Sequence, residues 1–300
     1  LSAFDESAYS DSDPSRRDAT PRRLFAWKPG LKWSRDMEQC ADHGVTMMLD
    51  SGAFGLSRER RRLGAESTAW QQRNRVLLEG HTEYIARYGE QFALVAALDV
   101  IGDPAMTLAN YEWQRDRVPM AFPTWHFTST LDDLDAVLAL NPERIGIGGM
   151  ARSHKAAMPA VHAAFDKLCD ANGVPRVMTH GFGAASGAML KSLPWSSVDA
   201  ATATVAAKGK RLLFFDGAGN TPQLILRETD DGELEVLDGK RALRPFELDA
   251  VKERLRHHGH SLEGVAELRE CRLDYNAREL VRAEAVIPER YVRPRSTRFG

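Results

Sequence analysis

Short apolar runs alternate with longer amphipathic segments along most of the chain. Segments 67–88, 105–117, 131–140 and 155–171 have the spacing of helices. Continuous apolar runs separated by helices are typical of a parallel sheet that is covered on both faces. Seven runs are predicted to be strands: RLFAW (23–27), VTMML (45–49), FALVAAL (92–98), VPMAFPTW (118–125), RIGIGG (144–149), RVMT (176–179) and WSSV (195–198).

The number of runs favours one particular α/β architecture. Seven strands within residues 23–209 predict a (β/α)8 barrel of the TIM type, with the eighth strand at or before Leu1. An open doubly wound sheet is the alternative that the periodicity leaves open. Residues 1–22 are polar, aperiodic and rich in Ser, Asp and Arg, and we predict that they are disordered.

A different pattern follows the barrel segment. Residues 210–300 are predicted to form a small C-terminal extension. Its first part, 211–238, indicates β-strands joined by Gly-Asn and Asp-Asp-Gly turns. Helices are expected at about 246–258 and 261–285, followed by a tail with four arginines: Arg290, Arg293, Arg295 and Arg298.

Composition narrows the class of protein. The chain is 43% hydrophobic and 27% charged, as in ordinary globular proteins, and its formal net charge of −2 requires any nucleic-acid binding to come from a local patch. Three scattered cysteines give neither zinc nor disulfide spacing, so we expect a cytoplasmic protein. No apolar run approaches the roughly 18 residues of a membrane span, so no membrane partner is expected.

Polar residues or glycines follow six of the seven runs. Asp and Gly often do no more than end a strand. In a parallel barrel, however, all these ends meet at one mouth, where catalytic groups lie. Three carboxylates and two histidines on that rim therefore indicate an active site. The six positions are Asp50-Ser51-Gly52, Asp99 to Asp103, His126, Gly148-Gly149-Met150, His180 to Gly183, and Asp199.

The chemistry open to this rim is limited by the motifs present. The sequence has no GxxxxGK[ST], no GxGxxG after a first strand and no GxSxG. Asp50, Asp99, His126 and His180 could ligate a metal, although no His-x-His or His-Glu-x-x-His spacing occurs. Paired carboxylates can instead displace a base from a sugar, one as the nucleophile and the other as the proton carrier.

Five motifs in order give the chain a family resemblance over residues 23–205. They are LDSGAF (49–54), ALDVIGD (97–103), GIGGM (146–150), HGFG (180–183) and PWSSVDAAT (194–202). Together they resemble the tRNA-guanine transglycosylase superfamily, and most closely its phage and bacterial branch, the DpdA-type DNA deazaguanine transglycosylases. The resemblance implies a (β/α)8 barrel that replaces guanine by a 7-deazaguanine such as 7-cyano-7-deazaguanine, without a metal or other cofactor.

The resemblance also implies roles for the acidic residues and glycines. Asp199 matches the nucleophile that attacks C1′ and holds the sugar covalently. Asp50 matches the general acid/base that takes the proton from N9 of the incoming base. Asp99 matches the carboxylate that recognises the purine's amide and amine edge. Gly148 and Gly149 match backbone donors of the base pocket.

The remaining site residues are assigned to substrate binding. His126 lies where the tRNA enzymes usually carry glutamine, and we assign it to base contact. His180 and Phe182 are expected to line the sugar or base side, and Ser51 belongs to the same pocket. Phe54 is expected either to stack on the base or to pack in the core.

One departure from the family concerns the nucleic-acid partner. The tRNA enzymes carry a C-terminal Cys-x-Cys-x-x-Cys…His zinc site, which is absent after Asp199 here, so DNA is the favoured partner over tRNA. The stretch SRERRR (57–62) provides arginines that could neutralise phosphates beside a flipped nucleotide. A solvated helix face balanced by Glu59 and Glu66 is the alternative. The arginines are Arg58, Arg60, Arg61 and Arg62.

We therefore predict an enzyme that exchanges guanine in DNA for a 7-deazaguanine by double displacement. Action on tRNA or a free nucleoside is the alternative within the same class. A metal-dependent barrel hydrolase and an inactive barrel that only binds nucleic acid are the alternatives from other classes. The sequence does not indicate a homodimer or a partner protein.

Overall fold

The computed structural model describes residues 22–150, 153–184, 186–199, 202–215, 222–229, 231–283 and 286–294. Apart from Arg22, the predicted disordered segment 1–22 lies outside these residues, as do the Gly-Asn turn at 219–220, Arg295 and Arg298. The chain divides into two compact units. Residues 20–183, 195–199 and 290–300 form one, the parallel unit, and residues 184–194 and 200–289 form the other, the antiparallel unit.

All seven predicted runs form strands of the parallel unit. Every strand pair in this unit is parallel, with the orders β1-β2-β3-β4 and β5-β6-β7-β8. Pro123, which lacks an amide hydrogen, separates β4 from β5 within one run. The strands are β1 (Arg22–Ala26), β2 (Thr46–Asp50), β3 (Leu94–Ala96), β4 (Ala121–Phe122), β5 (Thr124–His126), β6 (Arg144–Gly148), β7 (Met178–Gly181) and β8 (Ser197–Val198).

These pairings confirm the predicted α/β class, but they do not test the more specific prediction of a (β/α)8 barrel. The parallel unit is mixed α/β with parallel sheets, as the alternating runs predict. Among the described residues the strand pairings do not close into a ring, so the eight-stranded barrel is not confirmed.

Four helices of the parallel unit follow the predicted amphipathic segments within a few residues, and two others, at 35–42 and 53–63, were not among those segments. Several begin at side-chain caps: Ser67 accepts from Trp70 N, and Thr130 forms a capping box with Asp133. The helices are α1 (Arg35–Asp42), α2 (Ala53–Leu63), α3 (Thr68–Tyr88), α4 (Pro104–Arg115), α5 (Leu131–Leu138) and α6 (His154–Leu168), with a 3₁₀ turn at Gly89–Gln91.

The core of this unit fixes the strands that carry the site. Leu49 of β2 packs in one apolar cluster with Leu77 and Ile85 of α3, and all three are essentially inaccessible to solvent. Burying one such side chain stabilises the fold by about 1.5–3 kcal/mol. The polar residues that follow β2 and β3 are therefore attached to rigid, well-packed strands.

Tyr291 returns to the parallel unit from near the end of the chain. Its ring packs on Phe165 at 5.9 Å between centroids, and its backbone N–H donates to Gly173 O at 2.7 Å. Gly173 has φ +77°, and a Cβ there would lie 2.2 Å from Tyr291 O, so only glycine fits this turn.

The antiparallel unit has strands and helices where the extension was predicted to have them, except that the single helix expected at about 261–285 is divided into two at Leu268. Its sheet has the order β12-β11-β10-β9, all antiparallel. No helix of the described chain is both long enough and apolar enough to cross a membrane. The elements are α7 (Gly187–Ser192), α8 (Thr202–Lys208), β9 (Arg211–Leu213), β10 (Gln223–Glu228), β11 (Leu234–Asp238), β12 (Arg241–Ala242), α9 (Pro245–His257), α10 (Leu262–Glu267) and α11 (Arg269–Ala283).

Two buried polar side chains of α11 hold the edge of this sheet. Asn276 accepts from Leu213 N at 2.8 Å and donates to Arg211 O at 3.0 Å. Glu279 accepts from Phe215 N and from the Arg254 guanidinium. Burial alone would raise the pKa of Glu279, but hydrogen bonds from His258 and Arg254 outweigh it and lower that pKa to about 2.

Candidate active site

Asp50 is the last residue of β2, and a sharp turn follows it. Gly52 has φ +76°, and a Cβ on it would lie 2.0 Å from Trp27 O. The Trp27 N–H in turn donates to Asp50 O at 2.8 Å. Glycine is therefore required for the chain to leave β2 against this neighbouring segment and enter α2 directly. The predicted tight turn after the first carboxylate is present.

The Asp50 carboxyl group is unusually hard to ionise. Burial, and then repulsion from Asp99 and Asp199, raise its pKa from 3.8 to about 7, against a smaller opposing effect of the Gly52 and Ser51 amides. Like charges that share a site raise the pKa of one another. The Asp50 carboxyl group is therefore within electrostatic range of both other predicted carboxylates, and it holds its proton up to about pH 7.

Asp99 is buried and held by two protein donors. Ser51 Oγ donates to Asp99 Oδ1, and the fully buried Ser51 also accepts from Ala53 N at 3.2 Å. His126 Nε2 lies 2.8 Å from Asp99 Oδ2. Each carboxylate oxygen keeps a further lone pair for a ligand. The structure brings Ser51 and His126 to Asp99, as expected for one pocket.

Asp199 follows β8 and is half-buried. Its Oδ1 accepts from Gly183 N at 2.8 Å. His180 Nε2 lies 3.5 Å from the same oxygen but makes no hydrogen bond there, while His180 Nδ1 lies 2.9 Å from Ser197 Oγ. The second carboxylate oxygen of Asp199 thus has no protein donor within the described chain. A carboxylate held at one oxygen and open at the other is suited to act as a nucleophile.

The predicted glycine pair lies beside His126. Gly148 ends β6, and a Cβ on it would lie 2.8 Å from His126 Cδ2. Gly149 has φ +84°, which favours glycine. Directly after β7, Phe182 stacks with Phe122 at 6.3 Å between ring centroids. The absence of a side chain at Gly148 therefore lets the His126 ring pack against β6.

Phe54 is exposed on the first turn of α2. Its ring is 63% exposed, so the alternative of a core role is wrong. The Arg58 guanidinium lies 5.9 Å from the ring centroid, in cation–π range. Arg58, Arg61 and Arg62 share the exposed side of α2 with Phe54 and form no ion pair within the described chain. Of the two predicted balancing acids, Glu59 pairs with Arg73 instead, whereas Glu66 lies 3.9 Å from Arg60 Nη2.

Arg60 differs from the other three arginines. Its side chain is only 13% exposed, and it lies 3.3 Å from Asp103 Oδ2 and donates to Ile101 O at 3.4 Å. These contacts tie α2 to the loop after Asp99. The group that we call the α2 arginine face therefore consists of Arg58, Arg61 and Arg62.

Sequence reasoning missed a set of polar side chains behind Asp99. Thr107, Asn110 and Gln114 of α4 are buried and bind the backbone at Leu98 and Val100. The available signal was three polar residues at helical spacing within segment 105–117, and it gave no indication of their partners.

The alternative of a metal-dependent hydrolase requires a group of metal ligands, and the described residues contain none. Within the described chain, no three or more His, Cys, Asp or Glu side chains are grouped so that they could hold a metal ion. No model of a known protein family matches the chain, and a comparison with curated proteins finds no match either. A function for this site has to come from the chemistry of its own residues.

Proposed function

We propose that this chain is a transglycosylase that exchanges guanine in DNA for a 7-deazaguanine through a covalent intermediate on Asp199. In this proposal the parallel strands belong to a (β/α)8-type barrel. The observation that carries it is the cluster of three carboxylates beyond parallel strand ends, in which burial and its two neighbours raise the pKa of Asp50 to about 7. Such a group can both give and take a proton near neutral pH.

In the first step an oxygen of the Asp199 carboxylate attacks C1′ of the deoxyribose. The C1′–N9 bond breaks, and its electron pair leaves with guanine. Protonated Asp50 gives its proton to N9 of the leaving base and becomes a carboxylate. The products are free guanine and an ester between Asp199 and C1′.

The second step reverses the first with a different base. The Asp50 carboxylate takes the N9 proton of the incoming 7-deazaguanine, and N9 attacks C1′. The ester bond breaks, its electron pair returns to Asp199, and Asp50 is protonated for the next cycle. No oxidant, reductant or further reactant is needed.

Base recognition is assigned to the pocket around Asp99. Its two oxygens, oriented by Ser51 and His126, would accept the N1–H and the exocyclic amine of the base. The backbone at Gly148 and Gly149 would meet the base carbonyl, and the exposed Phe54 ring would stack on the base.

The α2 arginine face supports a nucleic acid as the second substrate. These three cations form no ion pair with any residue that the structure describes, and their helix begins directly after the Asp50 turn. They could bind phosphates on either side of an extruded nucleotide. Of the two nucleic acids, DNA is the substrate that we propose. A tRNA substrate is the second candidate, because the same arginines would bind RNA phosphates.

Intact-protein mass spectrometry with purified components tests the proposal. Wild-type protein incubated with guanine-containing DNA and no incoming base is expected to gain a covalent DNA adduct. Asp199→Asn, whose Oδ1 can still accept from Gly183 N, is expected to gain none. Asp42→Asn, an exposed aspartate of the same unit, is the matched control and should behave as wild type.

Nucleoside analysis then identifies the substrate. Digested DNA and tRNA are compared after incubation with the protein and 7-cyano-7-deazaguanine. A deazaguanosine in DNA that depends on Asp199 supports the proposal, and the same product in tRNA alone would make this a tRNA enzyme. If purified protein, nucleic acid and base give neither the adduct nor the product, the transglycosylase proposal is rejected.

A further inference from the structure

The backbone that carries Asp99 leaves the sheet before it reaches the carboxylate. The last sheet hydrogen bond of this segment joins Ala97 N to Phe122 O at 2.8 Å. Beyond it, Leu98 and Val100 bond to side chains instead of a neighbouring strand. Asp99 is therefore positioned by whatever holds these two flanking residues.

One face of α4 holds them. Gln114 Oε1 accepts from Leu98 N at 2.7 Å, and Asn110 Nδ2 donates to Leu98 O at 3.2 Å. Thr107 Oγ1 accepts from Val100 N at 2.9 Å. The spacing of three and seven residues puts these side chains on one side of the helix. They replace the strand partner that the chain has lost.

Buried polar side chains on a helix face require hydrogen-bond partners. All three side chains are at most 4% exposed, and each would destabilise the fold if it were buried without a hydrogen-bond partner. Here each group has its partners. On one side these are the backbone groups of Leu98 and Val100 that flank Asp99. On the other side Asn110 pairs with Asn74 of α3 at 2.9 Å, so this face of α4 joins the Asp99 segment to α3.

Gln114 is the most constrained of the three. Because its Oε1 accepts from Leu98, its Nε2 must donate, and it does so to His81 Nδ1 at 3.1 Å and Thr82 Oγ1 at 2.9 Å. Burial lowers the pKa of His81 to about 3, so the imidazole is neutral, and the Gln114 amide that donates to Nδ1 selects the tautomer in which Nδ1 is the acceptor. The amide is held at both ends and cannot turn without losing bonds.

We propose that Gln114, with Thr107 and Asn110, is a positioning residue for base selection, and that it acts through the Asp99 backbone without touching the base. This inference deepens the proposed function and rests on it. Discrimination for the exocyclic amine of the base would depend on the polar face of α4. A shift of the Leu98–Val100 backbone would move Asp99 away from the amine while the nucleophile Asp199, which follows β8, stays in place.

The test compares two incoming bases in the exchange reaction with purified protein and DNA. A 7-deazaguanine carries the exocyclic amine, and the matching 7-deazahypoxanthine lacks it. The readout is the ratio of the two kcat/KM values, because a loss of folded enzyme lowers both values equally and leaves the ratio unchanged. Gln114→Met, which keeps the side-chain length, is expected to lower the ratio about tenfold or more.

Two further variants make the result specific. Asn276→Leu removes a buried amide that binds a strand backbone in the antiparallel unit, and should leave the ratio at the wild-type value. Thr107→Val is a smaller change on the same face of α4. It should lower the ratio in the same direction, and it serves as the test if Gln114→Met does not fold.

The possible failures are distinguishable. If wild-type protein exchanges bases and neither α4 variant changes the ratio, the positioning role is overturned and the proposed function stands. If wild-type protein forms neither adduct nor product, the proposed function falls and the positioning role falls with it.

Discussion

Neutralising Asp50 should stabilise the parallel unit, and increasingly so as the pH rises. The folded protein holds a proton on Asp50 up to about pH 7, whereas the unfolded chain releases it near the ordinary value of 3.8. A raised pKa in the folded state contributes stability at low pH, and that contribution is lost between these two values as the pH rises. Asp50→Asn has no proton to lose, so its stability should not follow this decline.

The magnitude follows from the two pKa values. The full shift corresponds to about 4 kcal/mol, at about 1.4 kcal/mol per pKa unit. Part of it has already been lost at about pH 5, so the stability difference between the variant and wild type should grow by about 2–3 kcal/mol from there to about pH 8.5. The variant is also expected to lose base exchange, because it can neither give nor take the N9 proton.

Tryptophan fluorescence during urea unfolding measures this stability difference for the parallel unit. All six tryptophans of the chain lie in segments of the parallel unit, so their signal follows that unit alone. Asp42→Asn removes an exposed aspartate of the same unit and should show no pH-dependent gap. If the gap for Asp50→Asn is also constant from about pH 5 to about pH 8.5, then Asp50 ionises normally and the carboxylates are not clustered.

Three further outcomes test other parts of the structure. Gly52→Ala should destabilise the parallel unit by at least about 2 kcal/mol in the same fluorescence assay, because its Cβ meets Trp27 O; an unchanged midpoint would show that the turn relaxes. Arg61→Gln should reduce the slope of log K against log salt by about 0.9 on duplex DNA or about 0.7 on a single strand, and an unchanged slope would remove Arg61 from the interface. Glu279→Gln should lower hydrogen-exchange protection of β9 and β10 at pH 7 by about 3–5 kcal/mol, because Arg254 loses its buried partner. Since the pKa of Glu279 is about 2 in the folded protein, that loss should shrink as the pH falls below 4.5, and a loss independent of pH would contradict the ion pair.

The strands could be predicted because their signal is local. Each buried parallel strand is a short apolar run, and polar residues at the ends of such runs must lie on one edge of the sheet. That reasoning was enough to group Asp50, Asp99 and Asp199, which the raised pKa of Asp50 supports. Barrel closure depends on pairing between distant strands, which no local pattern encodes.

Side-chain direction was the least predictable part of the site. The stretch 57–62 reads as four equivalent arginines, but the helix turns Arg60 toward Asp103 and leaves the others exposed. Phe54 would pass for a core residue by composition, and it lies at the surface because the turn at Gly52 starts α2 there. The bonds from α4 to Leu98 and Val100 depend on where the chain leaves the sheet, and the sequence does not mark that point.

The late return of Tyr291 has a consequence for the order of folding during synthesis. His162 and Tyr291 are 129 residues apart in the chain, yet they are in contact within the parallel unit. A ribosome that has completed β1 to β8 still has to translate most of the antiparallel unit before Tyr291 can reach Phe165 and Gly173. The final packing of the parallel unit is therefore a long-range closure, which comes late and at a greater entropic cost than local contacts.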